Sequence, residues 1–450
     1  MNLGEIQRVY FIGIGGIGMS ALARYFHHLG KEVAGYDKTS TPLTQELERM
    51  GINIHYVDAL KEVSDEFKQK ETTLVVYTPA VSQEHQELQY FIGQRFEVKK
   101  RSEVLGLITK DTFSFAVAGT HGKTTTSCIL AHLLKEVNAS FTAFLGGISE
   151  DFNSNFVFEG PEYSVVEADE FDRSFLRLYP DVACITSMDA DHLDIYGTPS
   201  DLVDAFNDFA QKLNADGKLL VRKGLPLKGI TYGIEEKADY NITNVVIKQG
   251  SYVFDLEGPF GALKGITFNK PGRHNLLNAL AAFAMAVEAG FKPQSLAKGL
   301  SSFKGVQRRF SYQLKEKDFV FIDDYAHHPT EINAVYDAVS EMHPHMFKMV
   351  VFQPHLFSRT KDFADEFATS LSQFDAVVLL DIYPAREKPI SGVTSKWLLD
   401  KIEHPKKKLI QKSDLIHEIT NNRPNLLLTL GAGDIGLEVP KIKKALAHAS

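Results

Sequence analysis

Apolar residues in this chain recur in short runs that end on glycine or an acid, and a stretch with helical spacing follows each run. QRVYFIGIG closes on glycines, and SALARYFHHLG then repeats its apolar positions at helical spacing until Gly30. KEVAGYD is a second strand-like run, ending at Asp37, and LVVYTPAV is a third, closed by Pro79. Strands that alternate with helices in this way build parallel βαβ units. The plan restarts at residue 113, where FSFAVAGTHGKTTTSCILAHLLK reads strand, glycine turn, helix. SVVEAD and DVACITSMDADH are further strands ending in acids or histidine, and Ile230 to Phe268 is strand-rich. PGRHNLLNALAAFAMAVEAG is an apolar-striped helix that stops at Gly290. A third start, DFVFIDDYAHHPTEINAVYDAV, is followed by MFKMVVFQPH, AVVLLDIYP and NLLLTLGAGD. The pattern predicts an α/β protein in three segments, 1–106, 107–305 and 306–450. The lysines at 406–408 read as a solvated linker or a helix cap.

Composition narrows the class. A chain of 450 residues suits about three domains, or two large ones. With 44% hydrophobic and 24% charged residues, wholesale disorder is excluded. Two cysteines, Cys128 and Cys184, cannot make a disulfide framework or a Cys-rich metal site. A formal net charge of −8 argues against a surface dedicated to duplex nucleic acid. No apolar run approaches the ~18–20 residues of a membrane span, and MNLGEIQRVYF lacks the basic and apolar regions of a secretory signal. The expectation is a cytoplasmic protein with no nucleic-acid or membrane partner.

Two glycine turns carry chemistry. Gly13, Gly15, Gly16 and Gly18 fit G-x-G-x-x-G directly after a strand, where free N–H groups and the helix dipole favour a diphosphate. Asp37, 19 residues past Gly18, stands where a ribose-binding acid would sit. Alone, this turn fits NAD(P), another nucleotide diphosphate, or a tight turn with no ligand. GTHGKTT, from Gly119 through Thr120, His121, Gly122, Lys123 and Thr124 to Thr125, is the more specific signal. In such a loop backbone N–H groups cradle phosphates, the lysine meets the β and γ oxygens, and the threonine hydroxyl holds Mg²⁺. Val117 stands where the general pattern wants glycine, so the loop is a compact variant that binds ATP. An ATP-driven enzyme acting on a nucleotide-linked substrate accounts for both turns.

Carboxylates at strand ends beside a phosphate loop usually hold Mg²⁺. Glu167 and His192 are the candidate ligands, with Asp169 and Asp191 behind them; a capping role for His192 stays open. Asn275 and Asn278, after His274, suit an adenine or ribose, or merely cap their helix. Arg308 or Arg309 would neutralise a transferring phosphoryl group, or form a salt bridge. Asp323, Asp324, Tyr325, His327 and His328 crowd one turn, with no third soft ligand nearby to favour zinc. His355 and Arg359 would suit the amine and carboxylate of an amino acid.

In this order GIGGIGMSALA, AGTHGKTTT, VVEADEFDRSFL, MDADHLDIYG, GRHNLLNALAA, RRF, DDYAHHPTEI, VFQPHLFSRT and LTLGAGDI resemble the Mur ligases, from about residue 8 to 436. The resemblance implies an N-terminal Rossmann-like domain for a UDP-sugar, a central P-loop ATPase-like domain with a mixed sheet, and a C-terminal Rossmann-like domain for an amino acid. It implies ATP and Mg²⁺ as cofactors, and ligation of L-alanine to the lactyl carboxylate of UDP-N-acetylmuramate by a monomer or homodimer. Gly13 to Gly18 would then cradle the UDP diphosphate, with Asp37 beside it. Gly119 to Thr125 would bind ATP, flanked by His274, Asn275 and Asn278. Thr124 and Glu167 would ligate one Mg²⁺ and His192 a second. Lys123, His192, Arg309 and Asp324 are the expected catalytic residues, and His327, His355 and Arg359 would surround L-alanine. Thr186-Ser187-Met188 departs from the family's usual TNI or TNM, which loses or moves the role of that Asn. A recycling ligase that joins a tripeptide to the same sugar is the alternative, disfavoured by GIGGIGMS; an NADP-linked oxidoreductase is remote, because it leaves the third domain idle.

Overall fold

Parallel pairing organises all three sheets of this computed structural model, which describes residues 3–189, 196–385 and 387–447. The first sheet has the spatial order Asn53–His55, Glu32–Tyr36, Arg8–Ile12, Thr73–Tyr77, Glu97–Lys100, all parallel. Val9 to Ile12 are wholly buried because both faces of this middle strand are covered. The chain moves to one side of that strand and then to the other, which opens a crevice at the strands' carboxyl ends, and the glycine turn lies there. Helix Ile17–His28 follows the turn.

The second sheet has ten strands, in the order Gly261–Phe268, Ser251–Gly258, Tyr240–Lys248, Ile230–Ile234, Lys218–Arg222, Val182–Ile185, Phe113–Ala118, Tyr163–Glu167, Phe141–Ser149, Ser154–Phe158. Phe113–Ala118 lies between two parallel neighbours, and the last pair is antiparallel. The third sheet runs Ser311–Lys315, Val320–Asp324, Leu426–Leu430, Lys348–Phe352, Ala376–Leu379, Lys407–Leu409, parallel except for its first strand. Among the described residues, no helix is long and apolar enough to cross a membrane.

The chain packs as two compact units: Met1–Val245, Phe254–Ile266 and Leu277–Lys304 form one, and Val246–Val253, Thr267–Leu276 and Gly305–Ser450 the other. Inside the first unit, helix Ile17–His28 is stitched to the central sheet. Tyr25 packs on Phe144 and Phe156, with ring centroids 5.5 and 6.1 Å away. The Asn155 amide donates to Ile17 O at 2.6 Å and to Ser20 Oγ at 2.9 Å. Lys100 pairs with Asp172 at 2.9 Å, and Gly106 lies against the Arg177 carbonyl. The second unit is built on an apolar core of Val350, Phe352, Leu426 and Leu428, all fully buried.

Residues 406–408 are not a linker. Lys407–Leu409 is the outermost strand of the third sheet, where one-sided pairing tolerates charged side chains. The capping half of that expectation holds: Lys407 Nζ donates to the carbonyls of Leu399 and Ile402, at 3.0 and 2.6 Å, at the end of helix Ser395–Lys401.

Gly106 offers a test of the stitching. In an open helix Gly→Ala gains about 1 kcal/mol, but a Cβ at Gly106 would sit 2.5 Å from the Arg177 backbone oxygen. Gly106→Ala should cost about 1–3 kcal/mol, whereas Gly93→Ala, with nothing within 4 Å, should be neutral or stabilising. Thermal unfolding of the two variants checks the contrast.

Candidate functional site

The phosphate loop is shaped by close contacts that only glycine tolerates. Gly119 and Gly122 have φ of +128° and +85°, and a Cβ on either would fall 2.2 Å from Thr186 Oγ1 or 2.5 Å from Asn278 Oδ1. Helix Lys123–Glu136 starts immediately afterwards, so its first amides face the loop. Lys123 folds back over the turn: Nζ donates to Gly119 O at 2.6 Å and to the two oxygens of Glu170 at 2.9 and 2.7 Å. Burial alone would depress this ammonium, but the carboxylates around it, Glu170 foremost, hold it above its usual range. Thr124 Oγ1 donates to Glu167 Oε2 at 2.9 Å. A Cβ at Gly146 would overlap that carboxylate, at 2.0 Å.

Ser187 occupies the position where the family pattern has Asn. Its hydroxyl lies 2.9 Å from Thr120 Oγ1 and accepts the His121 N–H at 2.8 Å. Thr186 Oγ1 donates to Ala118 O and His121 O, at 3.1 and 2.5 Å. The Thr186 and Ser187 hydroxyls therefore brace the loop. His121 and Asp189 approach to 3.3 Å. Thr125 is buried in the first turn of the helix. His192 and Asp191 lie outside the described residues.

At the first glycine turn, Gly13 N donates to Tyr36 O at 2.8 Å and Gly15 N to Asp37 Oδ2 at 2.7 Å. Asp37 therefore closes the turn itself and also accepts Thr39 N at 3.2 Å. Gly18 lies against the Arg101 side chain, and Gly16 precedes the first residue of the helix.

The second unit gathers the remaining candidates. Arg308 and Phe310 adopt left-handed backbone, with φ of 60° and 48°. Arg308 pairs with Asp323 at 3.1 Å and donates to Gly431 O at 2.6 Å. Arg309 lies 5.0 Å from the Tyr325 ring centroid and 3.7 Å from Glu331. Asp324 accepts Phe310 N and Ala326 N at 2.6 and 2.7 Å. Burial pushes its carboxyl up to about 6, against the pull of Arg309 and the two amides. Burial also brings His274 down to about 4, with Glu331 opposing and Arg309 reinforcing. His327 N donates to Glu331 at 2.9 Å, and its ring lies 6.0 Å from that of His355. His355 stacks on Tyr383 at 5.7 Å and meets Arg359, itself buried, at 3.3 Å. Leu356, between them, has a strained φ of 71°. His327, His355 and Arg359 are thus one chain of contacts, to which Glu331 and Tyr383 belong without having been singled out in the sequence. Asn275 bonds Pro271 O at 2.6 Å within its own helix start, whereas Asn278 lies against Gly122.

Asp324 gives a pH test. Its folded pKa, about 6, exceeds the ordinary unfolded value of about 3.9, so its contribution to stability is complete below the unfolded pKa and is lost as pH rises through 6. Compared with Asp324→Asn, the wild-type unit should lose about 3 kcal/mol between pH 4 and pH 8. Urea unfolding followed by the fluorescence of Trp397, the one tryptophan of the sequence and a residue of this unit, measures it.

Comparison with known proteins places this arrangement. Three family models match in succession: the Mur ligase family, catalytic domain, over residues 8–112; the Mur ligase middle domain over 117–286; and the Mur ligase, glutamate ligase domain over 308–435. A protein of Flavobacterium johnsoniae described as UDP-N-acetylmuramate–L-alanine ligase is 57% identical over 446 residues, 99% of each chain. The crystal structure of the UDP-N-acetylmuramate-alanine ligase of Thermotoga maritima superposes with a TM-score of 0.83 at 28% identity, over 98% of this chain and all of that one. A murein peptide ligase from Psychrobacter arcticus shares the fold, with a TM-score of 0.69 and 21% identity over 98% of both chains. With its three domains matched in order and a near full-length relative at 57% identity, the chain belongs to the Mur ligase family.

Proposed function

We propose that this protein joins L-alanine to the lactyl carboxylate of UDP-N-acetylmuramate at the expense of ATP, a step of peptidoglycan precursor synthesis. The observation that carries the reading is the 57% identity, along essentially the full length of both chains, to a ligase of that name. Resemblance to the peptide-joining relative is confined to the fold, at 21% identity. On this reading residues 1–106 hold the UDP-sugar, 107–305 hold ATP and 306–450 hold the amino acid, in the cytoplasm where these nucleotides are made.

A carboxylate is a poor electrophile, because its leaving group would be oxide. Transfer of the ATP γ-phosphoryl group to the lactyl carboxylate gives an acyl phosphate, and the neutral amine of L-alanine displaces phosphate from it. The protein must bring two anions together. Amides of residues 119–125 and the Lys123 ammonium receive the polyphosphate. Thr124 and Glu167 fit Mg²⁺: their oxygens are hard donors, already 2.9 Å apart. Held there, the ion would spread the charge of the transferring phosphoryl group. In the turn from Gly13 to Gly18, the N–H groups at the start of helix Ile17–His28 suit the UDP diphosphate, since those of Gly13 and Gly15 are taken by Tyr36 and Asp37. Asp37 acts by holding the turn, since it already accepts Gly15 N. Arg359, buried beside His355, suits the alanine carboxylate, and Arg309 the departing phosphate.

Phosphate release with ATP, Mg²⁺ and UDP-N-acetylmuramate should require L-alanine. It should not respond to an L-Ala–D-Glu–diaminopimelate tripeptide offered instead; dependence on the tripeptide alone would move the protein to the recycling reaction. Lys123→Ala should lower turnover by at least about 10²–10³-fold while UDP-sugar binding, measured by calorimetry, stays near wild type. Retained turnover would remove residues 119–125 from the ATP site.

A further inference from the structure

The Lys123 ammonium has three protons, and each meets a protein acceptor: Gly119 O at 2.6 Å and the two Glu170 oxygens at 2.9 and 2.7 Å. Glu170 is completely buried. The hydroxyl of Tyr196, itself buried, donates to the Glu170 backbone carbonyl at 2.6 Å and fixes the residue in place. A phosphate oxygen that binds Lys123 must take over one of these protons, and it must do so beside a carboxylate that repels it.

We propose that Glu170 is a positioning residue that competes with the nucleotide polyphosphate for Lys123 and so limits how tightly nucleotide is held. The proposal rests on residues 119–125 being the ATP site. Two effects of removing the charge act in the same direction. The repulsion of phosphate disappears. Lys123, whose side chain is 12% exposed, also loses the carboxylate it pairs with most closely, a cost to the protein that an arriving phosphate relieves. A carboxylate that merely braced the loop would have the opposite signature, because losing it would loosen the site and weaken binding.

The test is calorimetry of the full-length protein with ADP and Mg²⁺, paired with thermal unfolding with and without ADP. Glu170→Gln should bind ADP about tenfold more tightly. It should melt lower than wild type without nucleotide and show a larger rise in Tm when ADP is added. Its kcat should fall as ADP leaves more slowly, with KM for ATP falling too. Glu170→Asp keeps the charge but is one methylene short of two-oxygen contact, so it should tighten binding by a smaller factor, about two- to threefold; it decides the matter if the Gln variant does not fold. Weaker or unchanged ADP affinity in these variants would overturn the proposal. Lys123→Ala separates the two levels: persistent ADP binding there sinks the reading of the ATP site, while its loss leaves the direction of the Glu170 effect to decide the inference.

Discussion

A cation largely withdrawn from water beside the ends of parallel strands has to be surrounded by acceptors, and the architecture of the central domain supplies them to Lys123 through strand register. Val117 pairs with Glu167 across the parallel neighbour, so the segment that continues to Glu170 leaves the sheet level with the phosphate loop. On the other side Ala118 pairs with Ile185, which puts Thr186 and Ser187 beside Gly119 and His121. Parallel strands bring equivalent ends to the same edge, so three loops from distant parts of the sequence converge without any long excursion. A shift of register by one residue would reverse which side chains face the loop and leave the ammonium without its anion.

The same constraint explains what could be read from residues alone. Gly119 to Thr125 was legible because the loop is local: its glycines, lysine and threonine stand at spacings dictated by one turn and one helix start. The three α/β segments were legible because apolar runs and helical periodicity alternate over long stretches. Glu170 was visible as one of four acids in EADEFD, but no spacing rule distinguishes it from Asp169. The choice is made by the tight turn after the strand, where Asp172 and Arg173 take left-handed backbone, and by the Tyr196 hydroxyl, 26 residues downstream, on the Glu170 carbonyl. Ser187 was marked as a departure from the family, yet its role depends on a hydroxyl that reaches a loop 66 residues earlier. The lysines at 406–408 are hard to place from sequence because a run of charge on a strand is rare in a sheet's interior but tolerated at its edge, and position in the sheet is not a local property.

Asp37 shows how one acid can serve the backbone of its own fold. The residue falls at the end of the second strand, where an acid in a dinucleotide-binding fold would face a ribose. Here its carboxylate accepts the Gly15 amide at 2.7 Å. That bond fixes the conformation of the glycine turn and satisfies the Gly15 N–H within the protein. The amides not taken up within the turn are therefore those at the start of helix Ile17–His28.

Asp323 and Asp324 extend the argument to the second unit. Adjacent residues of a strand point to opposite faces, so one dipeptide serves two purposes. Asp323 turns to Arg308 and the Thr429 hydroxyl, at 3.1 and 2.8 Å, and holds that guanidinium in an ion pair. Asp324 turns the other way and accepts the amides of Phe310 and Ala326. Those bonds clamp the segment in which Arg308 and Phe310 are left-handed, and the clamp sets the direction in which Arg309 leaves the backbone, toward Tyr325 and Glu331. Neutralising Asp324 would therefore loosen the segment that aims Arg309. The pattern matches Lys123 and Glu170: in both units a buried carboxylate constrains the place of a neighbouring cation, directly through an ion pair in one and through backbone amides in the other.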